Sequence, residues 1–242
     1  MSALGIAIPT YKEAGNIAAL IAELRTLFPD ARIVVVDDSP DLETVRAVEP
    51  LRGPAVELIH RDHKDGRGSA VLLGLRRCLA AGCHAVVEMD ADFSHAPGEL
   101  PGLLEALRSS EADVIIASRY VPGGRIRNWP LGRLLFSRAA NLLCRILLGV
   151  PVRDYTAGYR AYSRRAAETI DATCGKFGRG FIPLSESLVN LHYRGFRVVE
   201  VPSVFVNRLR GESSVSAGEL WNALTGVFRI YGLKRKLASS RL

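Results

Sequence analysis

An apolar run, Ala85-Val86-Val87-Glu88-Met89, empties onto Asp90-Ala91-Asp92 and then onto a loop carrying Ser94, His95 and Pro97. A short run with β-branched residues, bounded by turn signals, reads as a buried strand. In an open α/β sheet, ligands collect at the carboxyl ends of the strands. Two carboxylates one residue apart at such an end suit a hard divalent cation whose remaining ligands are phosphate oxygens and water. Aspartate is also common in ordinary strand-to-loop turns. The spacing alone leaves both readings open.

The elements that would position these acids follow from hydrophobic periodicity. Leu4 to Ile8 reads as a strand ending at Pro9-Thr10-Tyr11, and Arg32 to Val36 as a second strand ending at Asp37-Asp38. Between them Ile17, Leu20, Ile21, Leu24 and Leu27 recur at helical spacing, and Pro29-Asp30 stops the helix. Val56 to His60, Ala85 to Glu88 and Ala112 to Ala117 continue the strands, with helices expected over 66–81 and 100–108. Alternation of this kind implies a parallel sheet flanked by helices. Three strand ends then bring polar residues towards one crevice. Gly66-Arg67-Gly68 begins like a dinucleotide fingerprint but lacks the third small residue, so it reads as a helix N-terminus near phosphate or as a turn.

The second half has a different texture. A helix is expected over 131–148, with Leu134, Leu135, Leu142, Ile146 and Leu147 as its apolar stripe and Arg133, Arg138 and Arg145 interrupting it. A core-facing helix with a solvated basic side and a membrane-surface helix both fit that pattern. Tyr155 to Tyr162 reads as a polar, glycine-containing segment, and residues 184–194 as a helix holding Glu186. The stretch 219–242 is amphipathic and ends in Lys234-Arg235-Lys236, suited either to a lipid surface or to packing on the domain.

Composition narrows the classes. The chain has 242 residues, 48% hydrophobic and 24% charged, as expected of a globular protein with a full core. A net charge of +7 points to an anionic partner. Aromatic residues are only 7%, sparse for a surface that stacks single-stranded bases, so no nucleic-acid partner is expected. The four cysteines show neither metal spacing nor a disulfide framework, which favours a reduced, cytoplasmic setting. No signal peptide and no spanning helix are read in the sequence.

Taken in order, Ile8-Pro9-Thr10-Tyr11-Lys12-Glu13, Val36-Asp37-Asp38 and Met89-Asp90-Ala91-Asp92 are similar to the inverting glycosyltransferase family 2. Further blocks resemble the polyprenol (dolichol) monophosphate mannose synthases within it: Ser118-Arg119-Tyr120-Val121-Pro122-Gly123-Gly124, Ser137-Arg138-Ala139-Ala140-Asn141, Asp154-Tyr155-Thr156-Ala157-Gly158-Tyr159-Arg160, and Val201-Pro202 with Phe205-Val206-Asn207-Arg208. The resemblance implies an α/β GT-A fold over residues 1–214, followed by the basic amphipathic segment 215–242. It implies transfer of a hexose, mannose above all, from GDP-mannose to a polyprenyl monophosphate, with Mg2+ or Mn2+ as cofactor, at the cytoplasmic face of a membrane.

Carried over residue by residue, Pro9, Tyr11, Glu13, Val36, Asp38, Asp90, Ala91 and Asp92 match the nucleotide-sugar positions. Asp90 and Asp92 match the metal motif, with Ser94 as a candidate third contact. Arg119, Arg133, Ser137 and Arg208 match positions near the acceptor phosphate. Asp92, Arg119 and Arg208 are thus the residues expected to carry the reaction. The sequence departs from the family pattern at Ser39-Pro40, at Pro183-Leu184 and at Ser214. The alternatives are a family 2 transferase with another donor or acceptor, such as UDP-glucose or a sugar hydroxyl, and a non-catalytic module binding membranes or anions.

Overall fold

The computed structural model describes residues 4–177, 182–207 and 217–239. Seven strands form one sheet in the order β3-β2-β1-β4-β7-β5-β8. They are β1 (Leu4–Thr10), β2 (Arg32–Asp37), β3 (Val56–His60), β4 (Ala85–Glu88), β5 (Val114–Ser118), β7 (Arg160–Ser163) and β8 (Val198–Pro202). Between β5 and β7, β6 (Arg125–Arg127) is set aside from this sheet and pairs in parallel with β9 (Val204–Val206). All neighbours in the main sheet run parallel except at β7, which is antiparallel to both β4 and β5.

The helices are α1 (Ala14–Leu27), α2 (Glu43–Val48), α3 (Arg67–Ala80), α4 (Leu100–Ser109), α5 (Leu131–Leu148), α6 (Arg164–Thr173), α7 (Ile182–His192) and α8 (Ala217–Ser239). A strand buried on both faces needs a near-continuous apolar run, and residues 33–36 (Ile-Val-Val-Val) of β2 are all fully enclosed. Alternate residues serve alternate faces. Ile6, Ile8, Ile33 and Val35 meet Ile17, Leu20 and Leu24 of α1 and Leu103 of α4. Val34, Val36 and Val86 instead join Ala70, Leu75 and Cys78 of α3 and the helices of the second half. Gly74 sets the closeness of α3 to the sheet, since a Cβ there would stand 2.9 Å from that of Ala7.

Two regions depart from the sequence expectation. The expected polar stretch 155–162 contains β7, an interior strand. It pairs with β4 and β5, and its Arg160 can be fully buried because Nη1 donates to the Leu184 carbonyl and Nη2 to the Tyr155 carbonyl, both at 2.8 Å. The second departure is α5, whose apolar side faces outward. Leu135, Phe136, Leu142 and Ile146 are exposed, whereas Asn141, Cys144 and Leu148 face the core. The described part of the C-terminal segment, α8, packs against α5 and α7 through Val227 and Ile230. Its Phe228 and Tyr231 stay exposed. No helix among the described residues is long and apolar enough to cross a membrane.

Candidate active site

The carboxyl ends of β1, β2, β3 and β4 lie side by side, and each ends in polar groups. β2 ends in Asp37, which is fully buried and accepts from Thr10 Oγ1 at 2.9 Å and Ser39 Oγ at 2.7 Å, with His60 Nδ1 at 3.0 Å. Asp37 therefore ties three strand ends together. Its neighbour Asp38 grips the loop before α3. Arg61 Nε and Nη2 donate to the two Asp38 oxygens at 2.5 and 2.7 Å, and the N–H groups of Asp65 and Gly66 donate to Oδ2 at 3.1 Å.

Asp38, expected to contact the nucleoside, thus has both oxygens engaged within the protein, chiefly by Arg61, to which the sequence gives no role. The signal was the basic residue just past the third strand, but its relevance depends on β3 lying beside β2. Asp38→Ala would release Arg61 and loosen the start of α3. We expect the donor KM to rise at least tenfold and the acceptor KM to change less than twofold, measured by steady-state kinetics. Equal effects on both substrates would remove Asp38 from the donor side.

The remaining nucleotide positions divide by exposure. Tyr11 is half-buried with Lys64 Nζ 4.2 Å from its ring centre. Glu13 starts α1, donating its N–H to Thr44 Oγ1 and accepting from Asn16. Pro9 is half-buried near the end of β1. Val36 and Ala91 are buried, Val36 completely and against α3, so any contact they make with a nucleotide would be through the backbone.

At the end of β4, Asp90 and Asp92 are both partly open. Asp92 Oδ1 accepts from the Ser94 N–H at 3.0 Å, while Asp90 Oδ1 accepts from Arg67 Nε at 2.7 Å. Ser94 Oγ is buried with no hydrogen-bond partner among the described residues. A buried hydroxyl left this way is costly unless something else uses it. Two partly open carboxylates beside an orphaned hydroxyl fit a divalent ion. Among the described residues no cluster of three His, Cys, Asp or Glu side chains could hold one alone, so substrate oxygens would have to complete the shell. His95 is held apart from this chemistry. Burial pushes its ring down to about 4, and Nδ1 bonds Ser203 Oγ, which donates to Glu99.

The acceptor-side residues form a second cluster. Arg119, at the end of β5, is 7% exposed. Nε and Nη2 donate to the two oxygens of Asp154 at 2.8 and 2.6 Å, and Nη2 also donates to Thr156. Burial raises the Asp154 carboxyl, and the Arg119 charge and hydrogen bonds outweigh that and hold it below the usual range. The guanidinium carbon lies 5.5 Å from the ring centres of Tyr120, Trp129 and Phe205. Arg133 lies over one of these three rings, Trp129, at 4.2 Å and donates to Asn207 at 3.2 Å. Ser137 accepts from Tyr120 Oη at 2.7 Å.

Arg119, Arg133 and Ser137 are therefore brought together from β5 and α5. Arg208 and Ser214 lie outside the described residues, although Asn207, next to Arg208 in the chain, meets Arg133. Sequence reading placed Asp154, Tyr120 and Trp129 in no role. An acid set among apolar residues, Val152-Arg153-Asp154-Tyr155, was the available sign of a buried ion pair.

Residues 5–171 match the model of glycosyl transferase family 2. The chain belongs to that family. Among curated family relatives, it is 43% identical over 232 residues to an undecaprenyl-phosphate mannosyltransferase of Micrococcus luteus, covering 92% of this chain and 91% of the relative. It is 42% identical over 242 residues to a polyprenol monophosphomannose synthase of Mycolicibacterium smegmatis, covering 98% and 89%. Among solved structures, a glucosyl-3-phosphoglycerate synthase of Mycobacterium tuberculosis, in complex with Mn2+, UDP and phosphoglyceric acid, superposes with a TM-score of 0.69 at 19% identity, over 96% of this chain and 79% of that one. That likeness places this family 2 chain in the same GT-A fold.

Proposed function

We propose that this chain is an inverting mannosyltransferase that moves mannose from GDP-mannose to a polyprenyl monophosphate with the help of a divalent metal ion. The observation that carries the reading is the pairing of a partly open Asp90/Asp92 strand end with an arginine-lined cluster. Near full-length identity to two enzymes named for polyprenyl-phosphate mannose synthesis supports it. A Mn2+ or Mg2+ ion held by Asp90 and Asp92, with Ser94 as third contact, would neutralise the diphosphate leaving group.

The chain's own residues do the rest. Asp37, Asp38, Tyr11 and Glu13 order the donor end of the sheet. Arg133, Ser137 and Arg208 hold the acceptor phosphate, with Arg119 contributing its remaining nitrogen. A phosphate monoester has its second pKa near about 6, so its oxygen is already a nucleophile at neutral pH. That oxygen bonds to the anomeric carbon as the bond to the nucleoside diphosphate breaks, and the electron pair leaves on the diphosphate. No side chain need take a proton, in keeping with an enclosed, uncharged His95. Screening sugar nucleotides against a short polyprenyl phosphate tests the donor: GDP-mannose is expected to be used at least tenfold better than UDP-glucose, and the reverse order would overturn the assignment.

A lipid acceptor also requires approach to a membrane. The outward face of α5 and the exposed Phe228 and Tyr231 of α8, on two helices that also expose Arg138, Arg145, Arg229, Arg235 and Lys236, have the composition of an interfacial surface. Each apolar side chain buried in lipid contributes roughly 1.5–3 kcal/mol. A triple change of Leu135, Leu142 and Ile146 to Gln is therefore expected to weaken binding to anionic vesicles more than tenfold in a sedimentation assay, with little change in Tm. Unchanged sedimentation would move the docking surface elsewhere.

A further inference from the structure

Arg67 opens α3, and its guanidinium reaches beneath the metal motif. Nε donates to Asp90 Oδ1 at 2.7 Å and Nη2 to the Gly158 carbonyl at 2.9 Å, while Nη1 lies 3.4 Å from Glu88 Oε2. Glu88 is itself buried in β4 and accepts from Tyr162 Oη at 2.6 Å. The contact is built into the fold. A Cβ at Gly158 would stand 2.8 Å from the Arg67 guanidinium carbon and 3.1 Å from Asp90 Oδ2, so a larger residue there would press on both partners.

This arrangement has a consequence for the order of binding. Asp90 is one of the two carboxylates read as metal contacts, and one of its oxygens is already shared with a fixed cation. An ion arriving alone meets a site with that charge partly cancelled. An ion arriving on a nucleoside diphosphate brings its own anionic ligands to the same end of the sheet, where the start of α3 favours negative charge. We propose that Arg67 is a positioning residue that keeps Asp90 neutralised until the donor arrives, so that the protein takes up the divalent ion together with the nucleoside diphosphate and not ahead of it. The proposal rests on the reading of Asp90 and Asp92 as the metal and diphosphate motif.

Titration calorimetry with MnCl2 alone, and with MnCl2 in the presence of GDP, tests it on the full chain. Wild type is expected to bind Mn2+ at least tenfold more weakly without GDP than with it. Arg67→Met is expected to tighten binding of Mn2+ alone by at least tenfold, and Arg67→Lys, which keeps the charge, by less than threefold. Arg61→Met removes an equal charge from the same end of the sheet but touches Asp38, and it is expected to change the affinity for Mn2+ alone by less than threefold. If Arg67→Met fails to fold because Glu88 loses its partner, Arg67→Met combined with Glu88→Gln carries the same expectation. The proposal is overturned if wild type binds Mn2+ with GDP but removal of Arg67 leaves the affinity for Mn2+ alone unchanged, or if Arg61→Met has an equal effect. Absence of any Mn2+-dependent GDP binding in wild type would instead defeat the metal reading itself.

Discussion

Asp92→Asn is expected to lower mannosyl transfer by about a thousandfold, on the order of 4 kcal/mol in the barrier, while the protein folds as before. The size follows from the role proposed for the carboxylate: it would supply one of two protein charges for an ion that offsets the diphosphate, and such ions are worth several kcal/mol to the transition state. The small structural effect follows from the site. Asp92 lies in a partly open loop, and the amide oxygen of Asn can still accept the Ser94 N–H that Asp92 Oδ1 now takes at 3.0 Å. Turnover, Mn2+-dependent GDP binding and Tm are the measurements. Wild-type turnover in the variant would make the pair structural.

Arg119→Lys is the second large effect, and it acts on two observables. Lysine keeps the charge but loses the planar fork that meets both Asp154 oxygens. Transfer to polyprenyl phosphate is expected to fall at least tenfold, about 1.4 kcal/mol, with GDP affinity unchanged. Arg208→Lys should match that loss of transfer.

Stability should fall as well, because breaking a buried pair costs up to about 3–5 kcal/mol and Lys retains part of it. Asp154 is held below the usual carboxylate range when folded, so its contribution is complete above the unfolded pKa, near about 3.9. It is lost as pH falls through the folded value. The variant should therefore unfold at a higher pH than wild type on acidification. If stability drops while transfer per folded molecule is normal, Arg119 holds Asp154 and nothing more.

The parts of this molecule that sequence made legible are those where local pattern and final environment agree. β1, β2 and β5 are apolar runs because both their faces are covered, and the Asp pairs after β2 and β4 mark the ends where the crevice lies. β7 is hidden because its first residue is an arginine, whose charge is accommodated by the nearby Tyr155 carbonyl and by the Leu184 carbonyl of α7, 24 residues away. The stripe on α5 was visible, but its direction was not. Hydrophobic spacing states that one side is apolar, and only tertiary packing states that Leu142 and Ile146 look outward while Asn141 looks in. The site divides in the same way. Asp90 and Asp92 were found by position, whereas Arg61, Arg67 and Asp154 act through partners distant in sequence, at separations of 23, 23 and 35 residues. Val36 shows the limit of resemblance: its side chain is enclosed against α3, a fact that a motif match does not carry.

The central claim is that the acceptor is a lipid phosphate attacked without a protein base. Incubation of the protein with GDP-mannose, Mn2+ and a short polyprenyl phosphate, followed by mass and NMR analysis of the product, tests it most directly. The predicted result is a mannosyl phosphodiester of the lipid with inverted anomeric configuration, formed only with the metal and absent when the lipid carries a free hydroxyl in place of phosphate. Mannose on a free hydroxyl with the lipid phosphate ignored, or a product of retained configuration, would contradict it.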